Sequence, residues 1–114
     1  MKPGDVVLIQ LPQVAGGPLK SRPALVLALL PGVYQNVLIC GISTQLHDLQ
    51  PHWDDLIEAG DTDFSQSGLH RTSAIRPSYL YGADTREILG VIGRVDAERL
   101  NRVRRRLVQL LLAP

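Results

Sequence analysis

Arg22-Pro23-Ala24-Leu25-Val26-Leu27-Ala28-Leu29-Leu30, followed by the turn Pro31-Gly32 and then Asn36-Val37-Leu38-Ile39-Cys40-Gly41-Ile42, is the stretch that decides the fold. Both runs are short, rich in β-branched and aliphatic residues, and bounded by turn-forming residues, which predicts two adjacent strands. The near-continuous apolar character of Arg22 to Leu30 predicts burial on both faces or a central barrel position. Upstream, Gly4-Asp5 reads as a turn into a strand from Val6 to Leu11, closed by Pro12. Gln13 to Ser21, with Gly16, Gly17 and Pro18, reads as a loop long enough to be a flap.

Downstream, the expected elements are a strand at Trp53 to Ile57, a loop from Ala59 to Ser67, a strand from Gly68 to Arg76 and one helical turn at Ser78 to Tyr81. A further strand is expected from Ile88 to Val95, where Gly90 and Gly93 suit a tight bend. Asp96 is a good N-cap for a helix from Ala97 to about Leu112, whose apolar stripe is Leu100, Val103, Leu107 and Leu110, with Leu111 beside it. Five or six short strands followed by a helix predict a small, curled, mainly β fold with one helix packed on it. The 114 residues are expected to form a single domain, 1–114.

Apolar residues make up 45% of the chain, which argues against disorder, and aromatics only 4%, which argues against an RRM-type stacking platform. The net charge is +1, but it is uneven: residues 94–114 carry +4 and the remainder −3. Arg102 to Arg106 read either as a phosphate-facing patch or as the solvated outer face of the helix. Asp54, Asp55, Glu58, Asp61 and Asp63 read as a solvated acidic loop, without the pattern of a calcium-binding loop. Cys40 is the lone cysteine, set in an apolar run, so an intramolecular disulfide is impossible and a reducing cytosol is expected. The N-terminus reads as a turn and strand, unlike a signal peptide. No apolar run is long enough to span a membrane.

Gly4-Asp5-Val6-Val7, then Gly16-Gly17-Pro18-Leu19-Lys20-Ser21-Arg22-Pro23, Ile42-Ser43-Thr44-Gln45, Ser67-Gly68-Leu69 and Gly93-Arg94-Val95 occur in an order and spacing that together resemble the PemK/MazF toxins. The resemblance spans most of the chain. It implies a small SH3-like barrel of the CcdB/PemK type with a C-terminal helix, a homodimer, and neutralisation by a partly disordered antitoxin. It implies metal-independent cleavage of single-stranded RNA, including mRNA, to 2′,3′-cyclic phosphate and 5′-OH ends, with no cofactor, in the bacterial cytoplasm. By that resemblance Arg22 and Ser43 are the catalytic pair, and Lys20, Thr44, Gln45, Arg71 and Ser73 bind substrate.

Three positions depart from the family's pattern. Ser43 stands where threonine is frequent and keeps the hydroxyl. Gly17 stands where some members carry a glutamate. Arg71 and Ser73 align with an Arg-x-Asp pair that some members carry in a later strand, so the carboxylate of that pair is missing.

The chemistry of the residues is consistent with those roles. The guanidinium of Arg22 can engage two phosphate oxygens and stays charged, which suits a stabiliser of the phosphorane and not a base; its alternative is a salt bridge at the barrel rim. Ser43 or Thr44 can donate to a non-bridging oxygen, but neighbouring strand residues face opposite ways, so one of them only; the alternative is an ordinary strand-end turn. Arg71 and Ser73 are expected on one strand face, with His70 on the other. His47 and His52 lie where the sequence is least legible, and the three histidines lack compact metal-ligand spacing. Trp53 either stacks on a base or packs in the core or a dimer contact.

Two other functions remain open at the level of sequence. One is a non-catalytic inhibitor resembling CcdB, acting through the leucine-rich helix end. The other is an inactive family member that binds RNA or antitoxin. An antitoxin segment is expected to fold on the Gln13–Ser21 loop and the basic rim.

Overall fold

The structure is a computed structural model that describes residues 1–11 and 20–114. Its strands are β1 (Asp5–Leu11), β2 (Lys20–Leu29), β3 (Val37–Ser43), β4 (Asp55–Ile57), β5 (Ser73–Ala83) and β6 (Ile88–Arg94), followed by helix α1 (Ala97–Leu112). They form one antiparallel sheet in the order β4-β5-β3-β2-β1-β6. This is the mainly β architecture with a C-terminal helix expected from the sequence, in an open form: among the described residues β4 and β6 are the two edges of the sheet.

Strand alternation divides the core between the two faces of the sheet. Val6, Leu25, Cys40, Ile42, Ile57 and Ile75 pack on one face against Leu100, Val103 and Leu107 of α1. Val7, Ile9, Ala24, Val26, Val37 and Ile39 pack on the other with Ala83 and Ile88. Ala24 to Leu27 are buried without interruption, as the apolar run of β2 requires. Burial pushes the Cys40 thiol up to about 12, so it behaves as a small apolar core residue.

Helix α1 starts where Asp96 caps it, its side chain accepting from the Arg99 N–H at 2.8 Å. The apolar stripe is buried through Leu107, but Leu110 is 56% exposed, so the last turn runs beyond the sheet.

Several sequence expectations change. The strand expected at Gly68 to Arg76 and the helical turn at Ser78 to Tyr81 are replaced by one long strand, β5. Pro77, Ser78 and Tyr79 interrupt its pairing with β3, which runs Gly41 to Arg76 and resumes at Cys40 to Leu80, so the turn-like triplet is a bulge. β4 is shorter than expected, and β6 ends at Arg94. Gly93 permits close approach: a Cβ there would overlap the carbonyl oxygen of Gln66 and the backbone of Ser67. The Gln13–Ser21 loop and Gly17 lie outside the described residues, except that Lys20 and Ser21 begin β2.

The acidic stretch is not a solvated loop, and the arginines of α1, Arg105 apart, are not an outer coat. Arg99 Nε donates to Asp63 Oδ2 at 2.8 Å and its Nη1 to Asp55 Oδ2 at 2.8 Å. Asp55 also accepts from Arg102 at 2.8 Å and Arg106 at 3.1 Å. Arg104 donates to the Leu27 carbonyl at 2.8 Å. Burial raises the Asp55 and Asp63 carboxyls, but the arginine hydrogen bonds and charges outweigh it and hold both below their ordinary value. Among the described residues no helix is long and apolar enough to cross a membrane.

Candidate functional site

The first residues of β2, the last of β3 and the approach to β5 meet at one end of the sheet. Arg22 precedes Pro23, and proline restricts its predecessor to extended backbone, so the Arg-Pro pair fixes Arg22 in β conformation at the strand entrance. Arg22 is paired with Ile9 across β1. Its side chain is exposed, as is that of Lys20 two residues earlier on the same face.

Ala24 and Gly41 form the last rung of the β2–β3 ladder; Arg22 stands two residues before Ala24 and Ser43 two residues after Gly41, so both lie beyond that rung on the face of the sheet that the pair shares. Ser43 Oγ accepts from the Gln45 N–H at 3.0 Å. That bond uses the oxygen as an acceptor and leaves the hydroxyl hydrogen available for donation. Thr44 and Gln45 follow, both exposed. Among the described residues no hydrogen bond or ion pair engages the Arg22 guanidinium. None joins a carboxylate or imidazole to Ser43.

Ser43 pairs with Ala74, which brings the start of β5 to the same end. Arg71 and Ser73 do not share a strand face there. Arg71 lies before β5 and is exposed, whereas Ser73 opens the strand, is 2% exposed, and donates from Oγ to the Arg71 carbonyl at 2.9 Å. A buried hydroxyl needs a partner, and the preceding turn supplies it. His70 is exposed beside Arg71; His47 and His52 lie in the segment between β3 and β4. Among the described residues no group of three or more His, Cys, Asp or Glu side chains is placed to hold a metal ion.

Arg76, which sequence reasoning passed over, organises the wall of this site. Its Nη2 donates to the carbonyls of Gln45 at 2.7 Å and His47 at 3.2 Å, and its Nη1 to Asp54 Oδ2 at 3.2 Å. A planar five-donor group is suited to gathering three acceptors from one loop. Its only signal in the sequence is an arginine inside an apolar strand pattern. Trp53 neither stands free nor faces solvent fully: it packs against the helix-side core and donates from Nε1 to Ser78 Oγ at 2.8 Å. That bond ties the β5 bulge to the loop that Arg76 gathers.

Comparisons with known proteins place the fold and the family. No curated protein matches the chain by sequence. The fold is similar to that of the Mycobacterium tuberculosis toxin MazF-mt6, with a TM-score of 0.68, 17% identity, and 94% of this chain and 95% of that chain covered. It is similar to a MazE-MazF structure from Deinococcus radiodurans, with a TM-score of 0.65, 21% identity, and 100% and 97% covered. A mycobacterial endoribonuclease solved in complex with its cognate antitoxin gives a TM-score of 0.64 at 15% identity, covering 100% and 97%. The family model that describes PemK-like, MazF-like toxins of type II toxin-antitoxin systems matches residues 2–111, nearly the whole chain. The strand-end arginine and hydroxyl thus sit in a member of that family: the chain belongs to the PemK/MazF toxins.

Proposed function

We propose that the protein is a metal-independent endoribonuclease toxin that cleaves single-stranded RNA, and is neutralised by a cognate antitoxin. The observation that carries this reading is the placement of Arg22 and Ser43 on one face at one end of the sheet, in a chain of an endoribonuclease toxin family.

The substrate supplies its own nucleophile. The 2′-hydroxyl gives up its proton to solvent water, its oxygen attacks the adjacent phosphorus, the O2′–P bond forms, the P–O5′ bond breaks, and water returns a proton to the leaving 5′-oxygen. The products are a 2′,3′-cyclic phosphate and a 5′-OH. Arg22 holds two non-bridging oxygens in its fork as charge builds on the phosphorane. Ser43 donates its hydroxyl hydrogen to the same group. Lys20 and Arg71 neutralise flanking phosphates, and the exposed Thr44 and Gln45 contact the strand. Ser73 acts one step back, holding the turn that carries Arg71.

A second reading, an inactive member that binds RNA or antitoxin, is favoured by the serine at position 73, where some members of the family carry a carboxylate. The exposed Leu89 and Val91 of the edge strand β6 support a homodimer. A cytosolic location accords with a single cysteine that is free and buried.

Incubation with an unstructured RNA library in EDTA, followed by end-group analysis, tests the chemistry. Cyclic phosphate and 5′-OH ends are expected. Intact RNA across many sequence contexts would leave the binder reading standing.

A further inference from the structure

We propose that Tyr79 is the base-stacking residue of the RNA site, holding an unpaired nucleobase next to the phosphate that Arg22 and Ser43 engage. The inference rests on the ribonuclease reading and deepens it.

Tyr79 belongs to the three-residue bulge of β5. Instead of turning away from the sheet, its side chain lies against Gly41: an added Cβ at Gly41 would meet Tyr79 Cβ at 3.1 Å, Cδ2 at 3.3 Å and Cγ at 3.7 Å. The ring occupies the place of a side chain at position 41, yet the residue is 59% exposed. Gly41 and Ser43 are two positions apart in the strand, about 7 Å, on the same face. The pairing of Gly41 with Ala24 puts Arg22 an equal step along β2. An exposed aromatic surface therefore lies beside the last β2–β3 rung, on the face that carries the arginine and the hydroxyl just beyond it.

The segment that presents the ring is held, before it by Pro77 and Ser78 and after it by the pairing of Leu80 with Cys40. Pro77 is buried, and Ser78 accepts from Trp53 at 2.8 Å. A ring on a held backbone loses little freedom when it binds. Trp53 is committed to the core and to that hydrogen bond, so Tyr79 is the aromatic left to meet a base at this end of the sheet. Stacking is tolerant of base identity, so Tyr79 supplies affinity and register while sequence preference arises elsewhere.

The test measures binding of an unstructured 2′-O-methyl RNA, which lacks the attacking hydroxyl, by fluorescence anisotropy. The proteins are wild type, Tyr79→Ala, Tyr79→Phe and Arg22→Ala, with oligonucleotides carrying one abasic site at each position in turn. Tyr79→Ala is expected to bind roughly tenfold to a hundredfold more weakly, with Tyr79→Phe restoring most of the loss. One abasic position is expected to weaken wild type by a similar factor and to leave Tyr79→Ala unchanged. If Arg22→Ala weakens binding and Tyr79→Ala does not, the stacking role is wrong and the RNA site stands. If wild type binds no RNA, the ribonuclease reading falls and this inference with it. A Tyr79→Ala protein that changes its sedimentation coefficient would assign the ring to a contact between protein chains and overturn the proposal.

Discussion

Asp55 in the edge strand β4 accepts a 2.8 Å hydrogen bond from Arg99 in the first turns of α1, joining residues 44 apart in sequence through groups that are both nearly buried. Arg102 and Arg106 close on the other oxygen of the same carboxylate. The helix is therefore attached to the sheet by an ionic seam along the border of its apolar stripe. Removing one partner of such a buried pair costs about 3–5 kcal/mol, and because Arg99 keeps its bonds to Asp63 the loss of Asp55 falls at the lower end of that range. Asp55→Ala is expected to lower the urea midpoint by that equivalent, while alanine at exposed Arg105 leaves it within about 0.5 kcal/mol of wild type.

The same seam sets an acid limit. Asp55 and Asp63 are held below the ordinary carboxylate range, because the arginines outweigh the penalty of burial. A carboxyl whose folded value is depressed contributes stability above its unfolded value and loses it as pH falls through the folded one. The urea midpoint should respond little to these groups between pH 7 and 5, then fall below about pH 4. Asp63→Asn is expected to start lower at pH 7 and to decline less steeply in acid.

Two glycines of β6 differ sharply in what they permit. A Cβ at Gly93 would collide with the backbone of Gln66 and Ser67, whereas one at Gly90 meets nothing within 4 Å. Gly93→Ala is expected to destabilise by about 1–3 kcal/mol or more. Gly90→Ala should be neutral or stabilising by up to about 1 kcal/mol, through loss of unfolded-chain entropy. Thermal unfolding of the pair checks the contrast.

The sequence was most legible where a single local rule decides the structure. Asp96 announces α1, and the unbroken Ala24–Leu27 run announces a strand buried on both faces. The Arg22-Pro23 and Ser43-Thr44 pieces also arrive at the same end of the sheet. What escaped was pairing between distant segments. Arg99, Arg102 and Arg106 recur at helical spacing along one face, and Asp55, Asp61 and Asp63 are their complement. Nothing local says that the two meet instead of facing solvent. Pro77-Ser78-Tyr79 similarly reads as a turn, because only the resumed pairing at Leu80 shows that the strand continues. Arg76 was overlooked because its three acceptors belong to a loop 22 to 31 residues away.

Ser43 offers its hydroxyl hydrogen while its oxygen is held by the Gln45 N–H. Ser43→Ala removes one donor to a charged group, worth about 1.5–3 kcal/mol, or roughly tenfold to a hundredfold in cleavage rate. Ser43→Thr keeps the hydroxyl and should restore most of the rate. Single-turnover cleavage assays at saturating protein separate this loss from weakened binding.

The most direct measurement compares wild type and Arg22→Ala on a 5′-labelled, unstructured RNA in EDTA. Arg22 is exposed at the strand entrance, so its loss should leave the unfolding midpoint near that of wild type. The expected result is cleavage by wild type to cyclic-phosphate ends and a rate lower by about 10²–10³ in the variant, the cost of one transition-state donor. Equal cleavage by both proteins would contradict the assignment of the phosphate site to the start of β2.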